Sequence, residues 1–578
     1  MNINTFFTMT HTRALILLAA VAAGVYANTL FNSFMWDDHD LITKDPVIQN
    51  DAFGAFFSPS YWKDIPQQMR GRLRPVRTLT FLTDHAIYGN RPWGFHATNL
   101  LLHTINVLLI YAVCLQLCGS WPAALIGALL FAVHPAHVES VAWIKNRSDM
   151  LGAIFILLAL LSFLRLEGIK RQLAVTACFA AAVLSKEIAI MLPFILMAAA
   201  QGYLPADEKK KAMSWLASLA AAGAGFFLFK EHFWRPEISA SSGMAMDAYI
   251  QMRAIVATLS EYSNILFTPL ALSAERDIDF NNTVSRAVSA GLVFMVIAAI
   301  AIFAAAILKR KRLLPETYNT LVTNAVFGYI FMLLAIIPVS NIVFLHGRPL
   351  AEQRLYIPSI GYAIIFGNVA AFLISKAAAG KYRALPAAGV AVIIAVFAAQ
   401  SFARNLVWRN DFTFWSEAVR INPAHYRANY NLGLIYVNRG DVDMAISHFS
   451  TAAVDCDRPE VFNYLARCYD ARGDYDSSLK NYTTLLNLSP DLSADVYNNI
   501  GIVFEKKNDI KNAQIYYEAA LAREAGNRPA QLNLARLYEK SGNKARAREI
   551  YRRYLVSNAG DGSCSIASAN LAKMDGKK

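Results

Sequence analysis

The sequence predicts an all-α chain in two parts, a polytopic membrane bundle over 1–403 and a water-soluble helical solenoid over 404–578. Three observations predict it. Apolar runs long enough to cross a bilayer recur up to Arg404, and none follows it. Of the 578 residues 55% are apolar and only 17% charged, where a soluble domain carries about a quarter charged. Beyond Arg404 the chain repeats itself with a period of 33 to 35 residues.

About eleven spans are expected, at 14–34, 97–117, 121–139, 150–166, 172–186, 188–204, 212–230, 286–308, 319–338, 357–375 and 384–403. Val25-Tyr26-Ala27 in the first loosely resembles a signal-peptidase site. The apolar stretch continues through Leu30-Phe31, so an uncleaved helix is expected. Segment 250–270 carries Arg253, Glu261 and Asn264 before Pro269 and reads as re-entrant or interfacial.

The net charge is +13, of which 404–578 holds +4 (24 Lys and Arg against 20 Asp and Glu), leaving +9 to the membrane part. That surplus sits mostly in short loops at 165–171, 209–211, 309–312 and 376–383, which places those loops in the cytoplasm. The N-terminus then lies inside and the solenoid outside. A basic pI of 9.3 thus reflects helix orientation and contact with membrane lipids, and no nucleic acid partner is expected. The six cysteines show no CxxC or His-bracketed spacing, so a structural zinc site has no support.

In the solenoid a small residue recurs at Gly433, Ala466, Gly501 and Ala535, and a turn at Gly440, Gly473, Asn508 and Gly542. A second small residue follows at Ala445, Ser478, Ala513 and Ala547, then an aromatic at Phe449, Tyr482, Tyr517 and Tyr551. Small residues let paired helices approach and aromatics fill the gap between units, which is the tetratricopeptide (TPR) pattern. Pro423 and Pro490 close units, and 408–423 reads as a half-repeat before about four full ones. Such a solenoid offers a concave surface for a peptide or protein.

Nearly every unusual polar residue falls on the expected external face. Asp37 and Asp38 follow the first span. Adjacent carboxylates there suit either a divalent cation or proton abstraction, or form a solvated helix end. His96, Asn99, His103 and Asn106 make one polar stripe on an apolar helix, which belongs inside the bundle. Arg70, Arg72, Arg74 and Arg77 form a basic run suited to phosphate oxygens or headgroups. The run from His134 to Asp149 packs His137, Glu139, Lys145 and Arg147 into one expected turn. Lys186-Glu187 and Arg348, Glu352, Arg354 and Tyr356 lie at further span ends.

Asp37-Asp38, Arg74-Pro75, His96…Asn99…His103, His134-Pro135-x-His137-x-Glu139-Ser140-Val141, Arg147-x-Asp149, Lys186-Glu187 and Ala351-Glu352-Gln353-Arg354-Leu355-Tyr356-Ile357-Pro358-Ser359 together resemble the transmembrane-and-TPR (TMTC-type) O-mannosyltransferase family and its bacterial relatives. These belong to the GT-C glycosyltransferase superfamily, and the resemblance covers nearly the whole chain. It implies a GT-C-like bundle in a bacterial inner membrane that moves a sugar from a polyprenyl-phosphate donor to an external protein or glycan hydroxyl, by inverting displacement. The acceptor would be protein Ser or Thr, docked on the TPR domain. Animal members place Arg directly after Glu in the last motif, whereas Gln353 intervenes here.

On this reading the catalytic candidates are Asp37, Asp38, Glu139 and Asp149. Arg74, His96, His103, Lys186, Arg348 and Arg354 are expected at the donor phosphate. His134, His137, Arg147, Glu187, Glu352 and Tyr356 complete the polar site. No cofactor is required; a divalent cation stays open, and so does the choice of base between Asp37 and Asp38. Two other readings remain, a non-catalytic scaffold working through its TPR domain and a transporter of lipid-linked intermediates.

Overall fold

The computed structural model describes residues 11–58, 61, 74–234, 248–270, 272–273, 275–276, 290–313, 315, 318–342, 348, 350–378, 384–454, 458–489, 494–557 and 564–574. Every regular element among them is helical. The chain divides into two compact units, Met1–Phe414 and Trp415–Lys578. The division falls beyond Arg404 because the next residues fold back onto the first loop, where Ser33 N–H donates to the Arg409 carbonyl at 2.9 Å.

The principal helices of the first unit are α1 (His11–Tyr26), α2 (Pro75–Tyr88), α3 (Pro92–Cys118), α4 (Trp121–Val133), α5 (Val138–Ala142), α6 (Arg147–Arg165), α7 (Gly168–Ser185), α8 (Leu192–Tyr203), α9 (Ala206–Trp234), α10 (Ala248–Phe267), α11 (Ala290–Arg310), α12 (Asn319–Ile336), α13 (Ser359–Ala377) and α14 (Leu385–Arg404). Prolines open α2, α3 and α4, where a missing N–H costs nothing. Helix stands at each of the eleven expected spans. Among the described residues six helices are long and apolar enough to cross a membrane: His11–Phe31, Pro92–Cys118, Ile144–Arg165, Asn319–Val339, Ser359–Ala377 and Leu385–Arg404. A bent pair makes up to seven, and Glu187–Tyr203 is apolar but shorter.

That bent pair corrects the expected continuous span at 121–139. Helix α4 stops at Val133, and Trp121–Val133 meets Pro135–Ala142 at a bend of 52°. His134 is extended because it precedes a proline, which excludes the helical conformation sterically. The stretch that follows, expected as one turn, is packed inside the bundle. From His134 to Asp149 every residue is buried except half-buried Lys145.

The polar stripe of α3 is what receives it. Asn99 Nδ2 donates to the Val141 carbonyl at 3.1 Å, and Asn106 Nδ2 to the Met150 carbonyl at 3.0 Å. The Val141 carbonyl, at the end of the short helix after the break, thus finds a donor on a facing helix, and Asn106 adds a bond to a carbonyl inside α6.

Helix α4 is buried along its whole length from Ala123 and lies against α13 at backbone distance. A Cβ on Gly367 would sit 2.5 Å from the Ala123 carbonyl, and one on Gly127 2.6 Å from that of Ala363. Close approach through small residues replaces the hydrophobic effect as the association force inside a bilayer.

The second unit is a run of antiparallel helix pairs. These are Tyr426–Arg439 with Val442–Ala452, Pro459–Arg472 with Tyr475–Leu488, Ala494–Lys506 with Ile510–Arg523, and Arg528–Lys540 with Lys544–Ser557, followed by Cys564–Met574. The four expected turn residues all have positive φ, from +63° at Asn508 to +86° at Gly473. The aromatics Phe449, Tyr482, Tyr517 and Tyr551 are buried, and Phe449 and Tyr517 press on Gly433 and Gly501, where a Cβ would come within 2.6 Å of each ring. Pro490 and Cys456 lie outside the described residues.

Candidate functional site

The acidic pair sits where the first loop leaves the bundle. After α1 a short turn (Ala27–Phe31) leads to Trp36, whose φ of +47° is a conformation L side chains rarely adopt. Asp37 is 7% exposed and pairs with the Lys145 ammonium. Asp38 is fully buried and accepts from Lys145 N–H at 2.9 Å and Met35 N–H at 3.2 Å. Burial pushes the Asp38 carboxyl up to about 7, against the opposing pull of those two backbone donors.

Aromatic rings and further charges adjoin the pair. Trp36 stacks on Trp143 at 5.0 Å, and Trp143 on Trp408 at 5.6 Å. Lys145 Nζ lies 4.5 Å over the Trp143 ring, and the Arg348 guanidinium 5.8 Å over Trp36. Arg348 pairs with Glu139 and, at 3.4 Å, with Glu275. Glu139 also accepts from Gln353 N–H at 3.2 Å, so the inserted Gln353 supports a carboxylate through its backbone.

A second cluster gathers at the start of α6 and the end of α7. Lys186 pairs with Asp149 at 2.8 Å. Arg74 reaches Glu187 at 3.1 Å and donates to the Ser148 hydroxyl at 2.9 Å. Arg70 and Arg72, from the same basic run, lie outside the described residues.

Other expected site residues bind the bundle to itself. His103 hydrogen-bonds the Tyr356 hydroxyl at 2.8 Å and the Ala132 carbonyl at 3.2 Å. His134 donates to the Leu266 carbonyl at 3.0 Å and accepts from Ala136 N–H. His137 lies between the Phe131 carbonyl (2.9 Å) and the Ser359 hydroxyl (2.7 Å). With both nitrogens of each ring engaged, His103 presents none to a phosphate and His134 and His137 none to a metal. Fully buried His96 sits beside the Asn32–Ser33 backbone.

Arg147 is enclosed by Asp84 (2.5 Å), Asn99 (2.8 Å) and the Phe95 carbonyl (2.9 Å). Glu352 accepts from Arg404 at 2.9 Å and from Ser273 N–H at 2.8 Å, tying the 348–356 loop to the end of α14. Arg354 donates to the Arg348 carbonyl at 2.7 Å. Among the described residues no group of three or more His, Cys, Asp or Glu is placed to hold a metal ion.

The chain is similar to known proteins over both of its parts. The family model described as dolichyl-phosphate-mannose-protein mannosyltransferase matches residues 79–232. Tetratricopeptide-repeat models match 415–460 and 506–567. Protein O-mannosyl-transferase Tmtc1 of Drosophila melanogaster is 25% identical over 519 residues, covering 74% of this chain and 60% of that protein. Protein O-mannosyl-transferase F38B6.6 of Caenorhabditis elegans is 23% identical over 443 residues, covering 74% and 60%. Human TMTC3 is 23% identical over 599 residues, covering 94% and 64%. The chain is a relative of the TMTC-type protein O-mannosyltransferases.

The chain spans less than two thirds of the length of those relatives. The mannosyltransferase model covers Glu139, Asp149, Lys186 and Glu187 but starts after the acidic pair. Sequence reasoning missed Lys145 as a site residue, although it stood in the densest polar run. Trp36 and Trp143 stood beside the polar runs and were assigned no role. Glu275 gave no signal, because its partner Arg348 lies 73 positions away along the chain.

Proposed function

We propose that this multi-pass membrane protein is a glycosyltransferase that moves a sugar from a polyprenyl-phosphate donor to a Ser or Thr hydroxyl of an external protein. The observation that carries this is Asp37: a nearly buried carboxylate at the mouth of the bundle, paired with Lys145 and flanked by stacked aromatic rings.

Asp37, rather than Asp38, is the base. Geometry decides before acidity, and both oxygens of Asp38 are occupied by backbone N–H groups with no surface exposed. Asp37 takes the hydroxyl proton as that oxygen forms a bond to the anomeric carbon. The bond from that carbon to the phosphate oxygen breaks, and the leaving group departs as polyprenyl phosphate. One displacement inverts the anomeric centre. Lys186, Arg74, Arg348 and Arg354 stabilise the charge that accumulates on phosphate.

The reading places 404–578 outside the cytoplasmic membrane of a bacterium, where the TPR unit docks the acceptor protein. The relatives' names make mannose the first sugar to test. The test is a comparison of surface glycoproteins from a deletion strain and its parent. Loss of a hexose from defined Ser or Thr sites, restored by the wild-type gene, supports the reading. Identical glycoproteomes sink it.

A further inference from the structure

We propose that Asp411 is a positioning residue that clamps the Asp37–Asp38 loop from both sides. One carboxylate oxygen accepts from Trp36 N–H at 2.8 Å, and the other contacts His39 Nε2 at 3.3 Å. These are the residues on either side of the acidic pair. This inference rests on the catalytic reading of Asp37 and deepens it.

Three observations separate Asp411 from an ordinary residue of a helix start. First, it heads the helix Asp411–Ile421, yet capping falls to its neighbour: Asn410 Oδ1 accepts from Thr413 N–H at 3.0 Å, and Asn410 N–H donates to the Thr413 hydroxyl at 3.2 Å. The Asp411 carboxylate is therefore free to turn away from its own helix. Second, it holds the N–H of a tryptophan at φ +47°. Backbone strain of that kind persists only where the surroundings over-determine it. Third, the clamp belongs to a longer seam. Arg409 takes the Ser33 N–H at 2.9 Å, Asn405 Nδ2 donates to the Val25 carbonyl at 2.9 Å, and Phe414 packs on Trp36 at 5.5 Å.

The hydrogen bond from His39 to Asp411 also pushes the imidazole up from its ordinary value, so the Asp411 charge strengthens its own hold as His39 gains a proton. With Trp36 and His39 held, the backbone that carries the two carboxylates keeps one position. An error of about 1 Å in such placement costs on the order of 10²-fold in rate.

The test uses the purified full chain in phosphatidylethanolamine–phosphatidylglycerol nanodiscs, with polyprenyl-phosphate mannose and a Ser/Thr-rich peptide as probes. Hydrogen–deuterium exchange of segment 32–40 is followed in parallel. Asp411→Ala should raise that exchange and lower kcat about 10- to 100-fold, leaving the donor KM within about twofold. Asp411→Asn, whose amide oxygen still accepts from Trp36 N–H, should restore protection and most of kcat.

Unchanged exchange or a wild-type kcat in Asp411→Ala overturns the proposal, as does failure of Asp411→Asn to recover either. If Asp411→Ala does not accumulate, Asp411→Glu replaces it, moving the carboxylate by one methylene. A wild-type kcat there overturns the proposal, and a lowered kcat at unchanged donor KM supports it. Asp37→Asn is run beside them. Its wild-type turnover would remove the catalytic reading itself, whereas an inactive Asp37→Asn with a wild-type-like Asp411→Ala removes only the clamp.

Discussion

Lys145 and Asp38 are joined main chain to side chain, the Lys145 N–H donating to the Asp38 carboxylate at 2.9 Å while the Lys145 ammonium holds Asp37. One residue in the short helical turn Ile144–Asn146 thus fixes both acids of a loop more than a hundred positions earlier in the chain. The backbone bond survives replacement of Lys145 by alanine and the ammonium pair does not, so the two acids are separable by mutation.

Asp38 gives a pH signature of stability. Its folded carboxyl titrates at about 7, against about 3.9 for an unperturbed Asp. Between those values the folded chain holds a proton that the unfolded chain has lost, so stability falls as pH rises from about 4 to about 7 and levels above. Thermal-shift curves of wild type and Asp38→Asn should show this. The difference in Tm, wild type minus variant, should decline across that window, and a pH-independent difference would contradict the account.

The donor cluster predicts a sharp distinction between two cations. Arg74 spans Glu187 and the Ser148 hydroxyl with one guanidinium. A lysine is a point charge without that planar fork. Arg74→Lys should therefore raise the donor KM about tenfold with the acceptor KM unchanged. Titration of polyprenyl-phosphate mannose against each variant checks it, and an unaltered donor KM removes Arg74 from the phosphate site.

Packing between α4 and α13 predicts a pair of opposite glycine outcomes. Gly367 has no room, since a Cβ would lie 2.5 Å from a backbone carbonyl that cannot move cheaply. Gly367→Val should destabilise by about 3 kcal/mol or more, the upper range for overpacking. Gly389, in α14, has nothing within 4 Å of that position. Gly389→Ala should be neutral or stabilising by up to about 1 kcal/mol. Melting temperatures in detergent compare the two, and equal effects would refute this helix contact.

Much of the bundle was legible because apolar length is a local property. The solenoid was legible for the same reason, each turn and aromatic recurring at fixed spacing. Burial of His134–Asp149 was not. It depends on His134 preceding Pro135, which breaks the helix, and on Asn99 of another helix receiving the Val141 carbonyl. The same limit hid Asp411 and Glu275, whose partners are set by tertiary contact. His103, His134 and His137 looked like chemistry because imidazole is rare in a bilayer, yet their hydrogen bonds serve packing.

Charge placement predicts that reporter fusions after Lys211 and Arg312 report the cytoplasm, and a fusion after Lys578 the outside. A cytoplasmic signal at Lys578 would put the acidic pair on the wrong side of the membrane for an external acceptor.

The central claim is that Asp37 accepts the proton in sugar transfer. The measurement is single-turnover transfer from polyprenyl-phosphate mannose to a Ser/Thr acceptor protein by purified wild type and Asp37→Asn, at equal amounts of inserted protein. The account predicts inverted O-linked product from wild type and a rate lower by about 10²- to 10⁴-fold in the variant. Transfer at the wild-type rate by Asp37→Asn would contradict it.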